Sequence, residues 1–272
     1  MNFFSKKLFN PVSQELSTTG QLISLLKKGR INAFLSDKKT FEEEILKLSL
    51  SSDQFPSKFC KFTPLGVYFS KSFLKTHPEF LTDFNENVFI CVPKAIKLSE
   101  QEKQKLRKLA KSEILKWMNH SLVLTTIKTQ NKNHPPLNKS EIIKLDKQWR
   151  KEVKSSNRPL IDKLLANSLS QYLKKIKEES NGLYSEIFVM DNKGLNAGQS
   201  DKTSDYWQGD EAKFQKTFEK GKDALFIDTI EYDESSGKFQ VQINLTINDL
   251  TSGTPAGALT VGVDLEKALT SE

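Results

Sequence analysis

Residues 239–248 have the sequence Phe-Gln-Val-Gln-Ile-Asn-Leu-Thr-Ile-Asn, in which apolar and polar side chains alternate. Successive side chains of a β-strand point to opposite faces of a sheet, so this alternation predicts a half-buried antiparallel strand. Apolar stretches predict three further strands, at residues 187–190, 225–230 and 256–263. Glycine-containing turns separate the last three strands, which favours a meander of hairpins.

Helical signals precede the predicted sheet. Ser99 and Glu102 form a capping box, which predicts a long helix from about residue 100. Asn138 and Glu141 repeat the arrangement, and Pro159 is placed to start a third helix. Helices followed by consecutive strands predict an α+β fold, with an antiparallel sheet and helices to one side of it.

The composition narrows the classes of partner. The chain has 272 residues and a formal net charge of +7. Its densest basic run, at residues 103–111, is interleaved with apolar positions, as on a solvated helix face, so we expect no nucleic-acid partner. No apolar run reaches the length of a membrane span or a signal peptide, so neither is expected. Cys60 and Cys91 are either a disulfide pair or small core residues, depending on the compartment.

The sequence lacks the signatures of catalysis. Its three histidines, His77, His120 and His134, lie outside the predicted sheet, and it contains no P-loop, nucleophile elbow or metal-ligand cluster. Residues 191–196 are similar to the start of a calcium loop, but Lys202 stands where the bidentate glutamate belongs, which excludes an EF-hand. We therefore expect no enzymatic activity, no cofactor and no metal.

A polar loop at residues 198–211 is the most distinctive segment, because Tyr206 and Trp207 lie side by side between carboxylates. Aromatic faces flanked by acids suit a positively charged or amphipathic ligand. In the alternative interpretation, which the residue types alone favour, Trp207 closes one end of the sheet and the acids cap the following helix.

Several segments together resemble bacterial single Cache domains, which are PAS-like extracytoplasmic sensors. The segments that carry the resemblance are residues 144–150, 159–161, 191–196, 198–211 and 257–263. The resemblance covers about residues 117–269 and implies a sensor domain at 117–272, with a long N-terminal helix packed on a curved antiparallel sheet.

The Cache resemblance also implies where a ligand binds. In that family a small ligand is held between the sheet and the loops on its face. The residues that this assigns to the site are Asp205, Tyr206 and Trp207 in the loop, and Asp228, Gln240 and Gln242 on the strands. For the loop residues, the resemblance favours the pocket over the capping interpretation.

The N-terminal part has a different pattern. Strands are expected at residues 31–35 and 64–69, and Thr40 is expected to cap an intervening helix. Residues 29–37 and 64–71 are similar to the second lobe of type II periplasmic solute-binding proteins of the amino-acid-binding class. The resemblance implies a small α/β lobe at residues 1–116.

Asp37 is the candidate site residue of this lobe. It matches the position that, in the amino-acid binders, takes the ligand's ammonium group. The alternative is that Asp37 caps a helix ahead of Thr40. The first lobe of such a protein is not found in the chain, so half a cleft is expected rather than a closed solute site.

Taken together, these features predict a non-catalytic, small-molecule-binding sensory protein. The expected ligand is an amino acid, an amine or a carboxylate. A separate signalling partner or a homodimer would carry the signal, because the chain contains no recognisable output domain. The alternative is an interaction or scaffold protein that senses nothing. Both resemblances favour the periplasm, and the lack of a recognised signal peptide leaves the cytoplasm as the alternative.

Overall fold

The computed structural model describes residues 18–57, 69–84, 98–133, 137–233 and 238–270. The chain divides into two compact units, Met1–Phe59 and Cys60–Glu272. The boundary expected from the sequence, between residues 116 and 117, lies inside the second unit, and the domain division expected there stays a prediction.

The described part of the first unit, residues 18–57, contains two helices, α1 (Thr19–Lys27) and α2 (Lys38–Lys47), and a 3-10 turn at Ser52–Gln54. Asp37, not Thr40, is the N-cap of α2: its carboxylate accepts the backbone N–H of Thr40 at 3.0 Å. The prediction that Thr40 caps this helix is therefore wrong. An aspartate cap satisfies an otherwise unpaired N–H and carries its charge at the positive end of the helix dipole.

The strand expected at residues 31–35 is also wrong, because these residues form an irregular connection between α1 and α2. Leu35 is 61% exposed, although a buried strand was expected. A strand needs a neighbour for its backbone N–H and C=O groups, and the described part of this unit contains none. The strand expected at residues 64–69 lies outside the described residues except for Phe69, and Cys60 and Cys91 lie outside them too.

The second unit contains most of the helices. Those among the described residues are α3 (Lys71–Thr76), the helical residues 80–84, α4 (Glu100–Leu109), a π-helical turn (Ala110–Ile114), α5 (Leu115–Met118), α6 (Ser121–Asn133), α7 (Lys139–Val153), α8 (Pro159–Leu165) and α9 (Ser168–Glu179). Both predicted capping boxes are present, Ser99–Glu102 on α4 and Asn138–Glu141 on α7.

Among the described residues the sheet has five antiparallel strands, in the order β2-β1-β5-β4-β3. The strands are β1 (Tyr184–Met190), β2 (Asn196–Gln199), β3 (Leu225–Asp233), β4 (Lys238–Asn248) and β5 (Pro255–Asp264). The described residues of this unit also include two short helices, α10 (Ala212–Gln215) and α11 (Leu265–Thr270), and a 3-10 turn at Phe218–Lys220. The α+β class with an antiparallel sheet is therefore confirmed.

One face of this sheet is apolar and covered by helices. The side chains that point to it include Ile187, Val189, Val241, Ile243, Leu245, Leu259, Val261 and Val263. Helix α9 packs closely on β2 at Gly198, where a Cβ atom would lie 2.5 Å from Cγ of Leu169. Burial of this apolar area is the main favourable term for the fold of this unit.

The opposite face, which we call the polar face, carries the alternate residues. Its hydrogen-bonding side chains are Glu186 on β1, Asn196 and Gln199 on β2, Gln240, Gln242, Asn244 and Thr246 on β4, and Thr260 on β5. Residues 211–220, which we call the covering segment, pack over part of it. A polar sheet face that ends up covered is unusual, because alternation normally turns polar side chains towards water.

Candidate functional site

The centre of the polar face is a pair of buried side chains on neighbouring strands. Thr260 Oγ1 donates a hydrogen bond to Asn244 Oδ1 at 2.8 Å, and both residues are completely buried. The amide nitrogen of Asn244 donates to the backbone carbonyl of Phe226 at 3.2 Å. The period of two along β4 and β5 places the pair here, because Asn244 and Thr260 are directly opposite each other in the register.

A carboxylate lies beside this pair. Glu186 Oε1 accepts a hydrogen bond from Gln242 Nε2 at 2.9 Å. Glu186 is on β1 and Gln242 is on β4, so this hydrogen bond crosses over the intervening strand β5. The side chain passes over Gly262, where a Cβ atom would lie 2.7 Å from Glu186 Cγ. Only glycine leaves room for this crossing. Burial raises the pKa of the Glu186 carboxyl, and the Gln242 hydrogen bond and nearby Lys213 oppose that shift.

Three buried polar atoms on this face have no hydrogen-bond partner among the described residues: Asn196 Oδ1, Gln199 Nε2 and Thr246 Oγ1. Two other such atoms, on Trp117 and Asn248, lie outside this set. Each buried polar group left unpaired costs about 1–3 kcal/mol, so native proteins keep few of them. Their concentration on one sheet face, within a row of amides and hydroxyls, marks a surface suited to a hydrogen-bonding ligand.

The covering segment contacts the polar face through aromatic rings and cations. Phe214 packs in a buried cluster with Phe188, Met190 and Ala258, and Phe218 packs against that cluster. Two lysines extend over aromatic rings: Lys213 Nζ lies 5.3 Å from the centre of the Phe188 ring, and Lys216 Nζ lies 4.3 Å from that of Phe226. Each cation–π contact of this kind contributes little on its own at a partly exposed site. The covering segment is therefore held on the sheet by a small number of weak contacts.

Tyr206 lies in the protein core, not on the polar face. Its ring stacks on Trp149 of α7, with centroids 5.3 Å apart, in a buried cluster with Ile142, Ile161 and Leu195. Burial raises the pKa of the Tyr206 phenol. These contacts are those of a core residue, and the assignment of Tyr206 to the ligand site remains a prediction. The expectation that the acids of this loop cap the following helix is wrong for Glu211, because Glu211 is the N-cap residue of α10 and makes no side-chain capping hydrogen bond.

Trp207 and Asp205, the sequence neighbours of Tyr206, make contacts with different parts of the protein. The Trp207 indole donates to the Lys193 carbonyl at 2.8 Å, and Trp207 forms an isolated β-bridge with Leu195. The Asp205 carboxylate pairs with Arg150 of α7 at 3.0 Å. Trp207 therefore ties the loop to the turn before β2, and Asp205 ties it to α7.

Asp146 is the residue of this region that sequence reasoning missed as a functional position. Asp146 Oδ1 accepts the backbone N–H groups of Tyr206 at 2.9 Å and Trp207 at 3.1 Å. Asp146 Oδ2 accepts a hydrogen bond from Arg150 at 2.7 Å. The signal available in the sequence was an Asp–Arg pair one helical turn apart next to a tryptophan, a pattern that is also common on solvated helices.

The remaining predicted site residues lie in different places. Gln242 is on the polar face, bound to Glu186, and Gln240 is nearer the end of that face, where its Oε1 accepts a hydrogen bond from Ser185 at 2.8 Å. Asp228 lies where the β3–β4 register shifts, and it accepts the neighbouring backbone N–H of Thr229. Asp37 belongs to the first unit, where it caps α2. The structure thus gathers Gln240 and Gln242 on one face of the sheet in the second unit.

The residues at the centre of the site were not singled out from the sequence. Glu186, Asn244 and Thr260 are recognisable only once the strand order is known, although the alternation along β4 marked Asn244 as a position opposite the core. Within the described part of the chain, no group of three or more His, Cys, Asp or Glu residues is placed to hold a metal ion. Among the helices described, none is both long and apolar enough to cross a membrane.

Comparison with known proteins gave matches in structure only. No family model matches the sequence, and no curated protein has significant sequence similarity to it. The sensory domain of the Campylobacter jejuni chemoreceptor Tlp3 (CcmL) is 12% identical, with a TM-score of 0.32 over 73% of this chain and 66% of that one. The Vibrio cholerae histidine kinase DctB sensor domain is 12% identical, with a TM-score of 0.25 over 63% of this chain and 59% of that one.

A third neighbour is the ligand-binding domain of the Pseudomonas aeruginosa PAO1 amino acid chemoreceptor PctC in complex with GABA. It is 13% identical, with a TM-score of 0.27 over 44% of this chain and 61% of that one. The chain therefore spans less than two thirds of the length of these solved domains. The neighbours are sensory or ligand-binding domains of chemoreceptors and histidine kinases, and at these TM-scores the likeness carries no argument about the activity of this chain.

Proposed function

We propose that this protein is a non-catalytic sensory protein that binds a small molecule on the polar face, beneath the covering segment. The observation that carries the proposal is the set of unpaired buried atoms on Asn196, Gln199 and Thr246, next to the buried Asn244–Thr260 pair. A protein that used this face only as core would gain stability from apolar residues there. A ligand with donors and acceptors would give these atoms partners.

The chemistry of the face suits an amino acid, an amine or a carboxylate. Glu186 offers a negative charge, Lys213 a positive one, and the amides and hydroxyls between them offer both donors and acceptors. Amide and hydroxyl groups bind and orient ligands, whereas proton transfer and nucleophilic attack need activated groups. The proposal is therefore binding rather than chemistry.

A ligand on this face would replace part of the contact that the covering segment makes with Phe188, Met190 and Ala258. Ligand binding would thus favour conformations in which the segment is displaced, which is a population shift. Asp146 offers a route onward, because it fixes the loop that precedes the covering segment to helix α7. We propose that a separate partner or a second copy of the chain reads the position of this helix.

The proposed cellular location is the periplasm, with the cytoplasm as the alternative. This part of the proposal rests on the sequence resemblance to extracytoplasmic sensors. The solute-binding lobe proposed for residues 1–116 rests on sequence resemblance alone. In that proposal, Asp37 is the candidate residue for binding a ligand's ammonium group. Fractionation of cells that express the full gene, followed by detection of the chain in the periplasmic or cytoplasmic fraction, tests the location.

A thermal-shift screen of amino acids, amines and carboxylates against the full chain tests the binding proposal. We expect at least one compound to raise the melting temperature, and we expect Asn244→Leu to abolish the shift. Asn133→Leu, at an exposed position on α6, is the matched control and should leave the shift unchanged. If every compound fails, or if Asn244→Leu binds the same compounds as the wild type, the proposal is wrong.

The alternative, an interaction or scaffold protein, has one observation in its favour. The space beneath Tyr206 is occupied by Trp149 and Ile161, so the loop that first suggested a pocket is part of a packed core. Under this alternative the polar face is a structural network only. Substitutions there would alter stability without altering the affinity of any small molecule.

A further inference from the structure

The Lys213 ammonium group lies over the polar face, next to an aromatic ring and near a buried carboxylate. The lysine projects from the covering segment, its side chain is only 13% exposed, and its Nζ lies over the Phe188 ring. Glu186 is two residues before Phe188 on β1, so both side chains point to the polar face. An aromatic ring and a buried carboxylate on one face form surroundings that favour a cation.

We infer that Glu186 and Phe188 form a subsite for the ammonium group of a ligand, and that Lys213 occupies this subsite as an internal competitor. The inference rests on the proposed function and names the chemistry of one part of that site. It selects a primary amine, free or within an amino acid, from the broader ligand class. Lys213 then acts as a tethered cation that an incoming ammonium group must displace.

Glu211 provides Lys213 with a second position. Its carboxylate pairs with Lys213 Nζ at 2.9 Å, and the Glu211 side chain is 36% exposed, compared with 13% for Lys213. A lysine displaced from the Phe188 ring can keep this ion pair while it turns towards solvent. Because Glu211 and Lys213 both belong to the covering segment, displacement of the lysine would also loosen the contact of the segment with the sheet.

Lys216 supplies a matched comparison within the same segment. Its Nζ lies over the Phe226 ring at 4.3 Å, on the other side of the sheet centre, so it makes the same kind of contact at a different ring. Phe226 pairs in register with Asn244, whereas Phe188 pairs with Thr260. Removal of the Lys216 charge therefore changes the net charge of the segment by the same amount and leaves Glu186 and Phe188 untouched.

The test is a chemical-shift titration of the full chain with n-propylammonium chloride, sodium propionate and n-propanol at constant ionic strength. The variants are Lys213→Met, Lys216→Met and Glu186→Gln, with Glu186→Gln also combined with Lys213→Met. We expect Lys213→Met to bind propylammonium about tenfold more tightly than the wild type, because a tethered competitor acts at an effective concentration in the millimolar range. Lys216→Met should match the wild type.

Adding Glu186→Gln to Lys213→Met should remove the gain, and the same should hold for Phe188→Leu, which keeps an apolar side chain but removes the ring. Phe188→Leu keeps the test usable if the glutamine variant does not fold. The inference is overturned if Lys213→Met binds propylammonium no more tightly than the wild type. It is also overturned if the wild type binds propionate and Lys213→Met does not, because Lys213 would then be an anion site.

The outcomes separate this subsite from the broader proposal. If compounds from the thermal-shift screen depend on Asn244 but not on Glu186, the polar face binds ligand and the ammonium subsite is wrong. If neither those compounds nor propylammonium bind any of the variants, both are wrong.

Discussion

Thr260 and Asn244 form a hydrogen bond of 2.8 Å between neighbouring strands, at a point where both side chains are completely buried. Two residues further along β4, Thr246 is 2% exposed and its hydroxyl has no partner among the described residues. Two threonines on one sheet face are thus both buried, but only the hydroxyl of Thr260 is paired. Under the proposed function, the paired hydroxyl is structural and the unpaired one is a group that a ligand would bind.

Thr260→Val should lower the free energy of unfolding by about 1–3 kcal/mol, because it leaves Asn244 Oδ1 buried without a donor. Thr246→Val removes no hydrogen bond to a described residue and should leave stability unchanged or slightly raised. Urea denaturation of the two variants measures the difference. Equal losses would contradict the assignment of Thr246 as unpaired.

Thr246→Val should also weaken the binding of compounds found in the thermal-shift screen by roughly two- to twelvefold, since a hydrogen bond to ligand is worth about 0.5–1.5 kcal/mol. Isothermal titration of the variant and the wild type gives the ratio. A variant that keeps full affinity would show that its hydroxyl does not contact the ligand.

Asp146→Ala should lower the free energy of unfolding by roughly 1.5–3 kcal/mol, because it leaves the N–H groups of Tyr206 and Trp207 without their charged acceptor. Asp162→Ala is the control, since Asp162 forms an ion pair with Arg158 in which the Asp162 side chain is 55% exposed. Such pairs contribute about 0–1 kcal/mol. Similar losses in the two variants would show that Asp146 contributes no more than a surface ion pair.

Tyr206→Phe should leave ligand affinity within about twofold of the wild type, because the ring of Tyr206 packs against Trp149 in the core. Tyr206→Ala should lower stability by about 3–5 kcal/mol through the cavity that it leaves. Calorimetry measures both quantities. A large loss of affinity in Tyr206→Phe at unchanged stability would instead support the sequence-based assignment of this residue to the pocket.

Stability should depend on pH through Glu186. Burial raises the pKa of its carboxyl above the ordinary value of 4.5. Between 4.5 and that raised value the folded state retains a proton that the unfolded state has released, so the free energy of unfolding falls as pH rises through this window. The stability of Glu186→Gln relative to the wild type should therefore increase as pH rises above about 4.5.

Thermal unfolding at a series of pH values measures this difference. Glu178→Gln, at an exposed position on α9, controls for the loss of one negative charge. A wild type that gains stability over Glu186→Gln as pH rises would contradict burial as the main influence on this carboxyl.

Local signals in the sequence predicted local structure well. The capping boxes at Ser99–Glu102 and Asn138–Glu141 are present because both partners lie within one helical turn. The alternation along residues 239–248 predicted a two-faced strand, and β4 has this form. The strand expected at residues 31–35 is wrong, because a strand is defined by a neighbour that local sequence does not specify.

The site itself could be predicted only in part, for the same physical reason. Tyr206 suits both a pocket wall and a core, and the choice depends on Trp149, which the fold brings to it from a distant helix. Glu186 gains its surroundings from Gly262 and Gln242 on two other strands. Gln242 was assigned to the site from the Cache resemblance. Asn244, two residues further along β4, could be recognised only from the strand register, which pairs it with Thr260.

The side-chain amide signals of Gln199, Gln242 and Asn244 provide the most direct test of the central claim. They can be followed in 1H–15N spectra of the full chain during titration with the compound that gives the largest thermal shift. The account predicts that these signals move together with one dissociation constant, while the amide of Asn133, on α6, stays fixed. Saturable binding that leaves the three polar-face amides unchanged would contradict it.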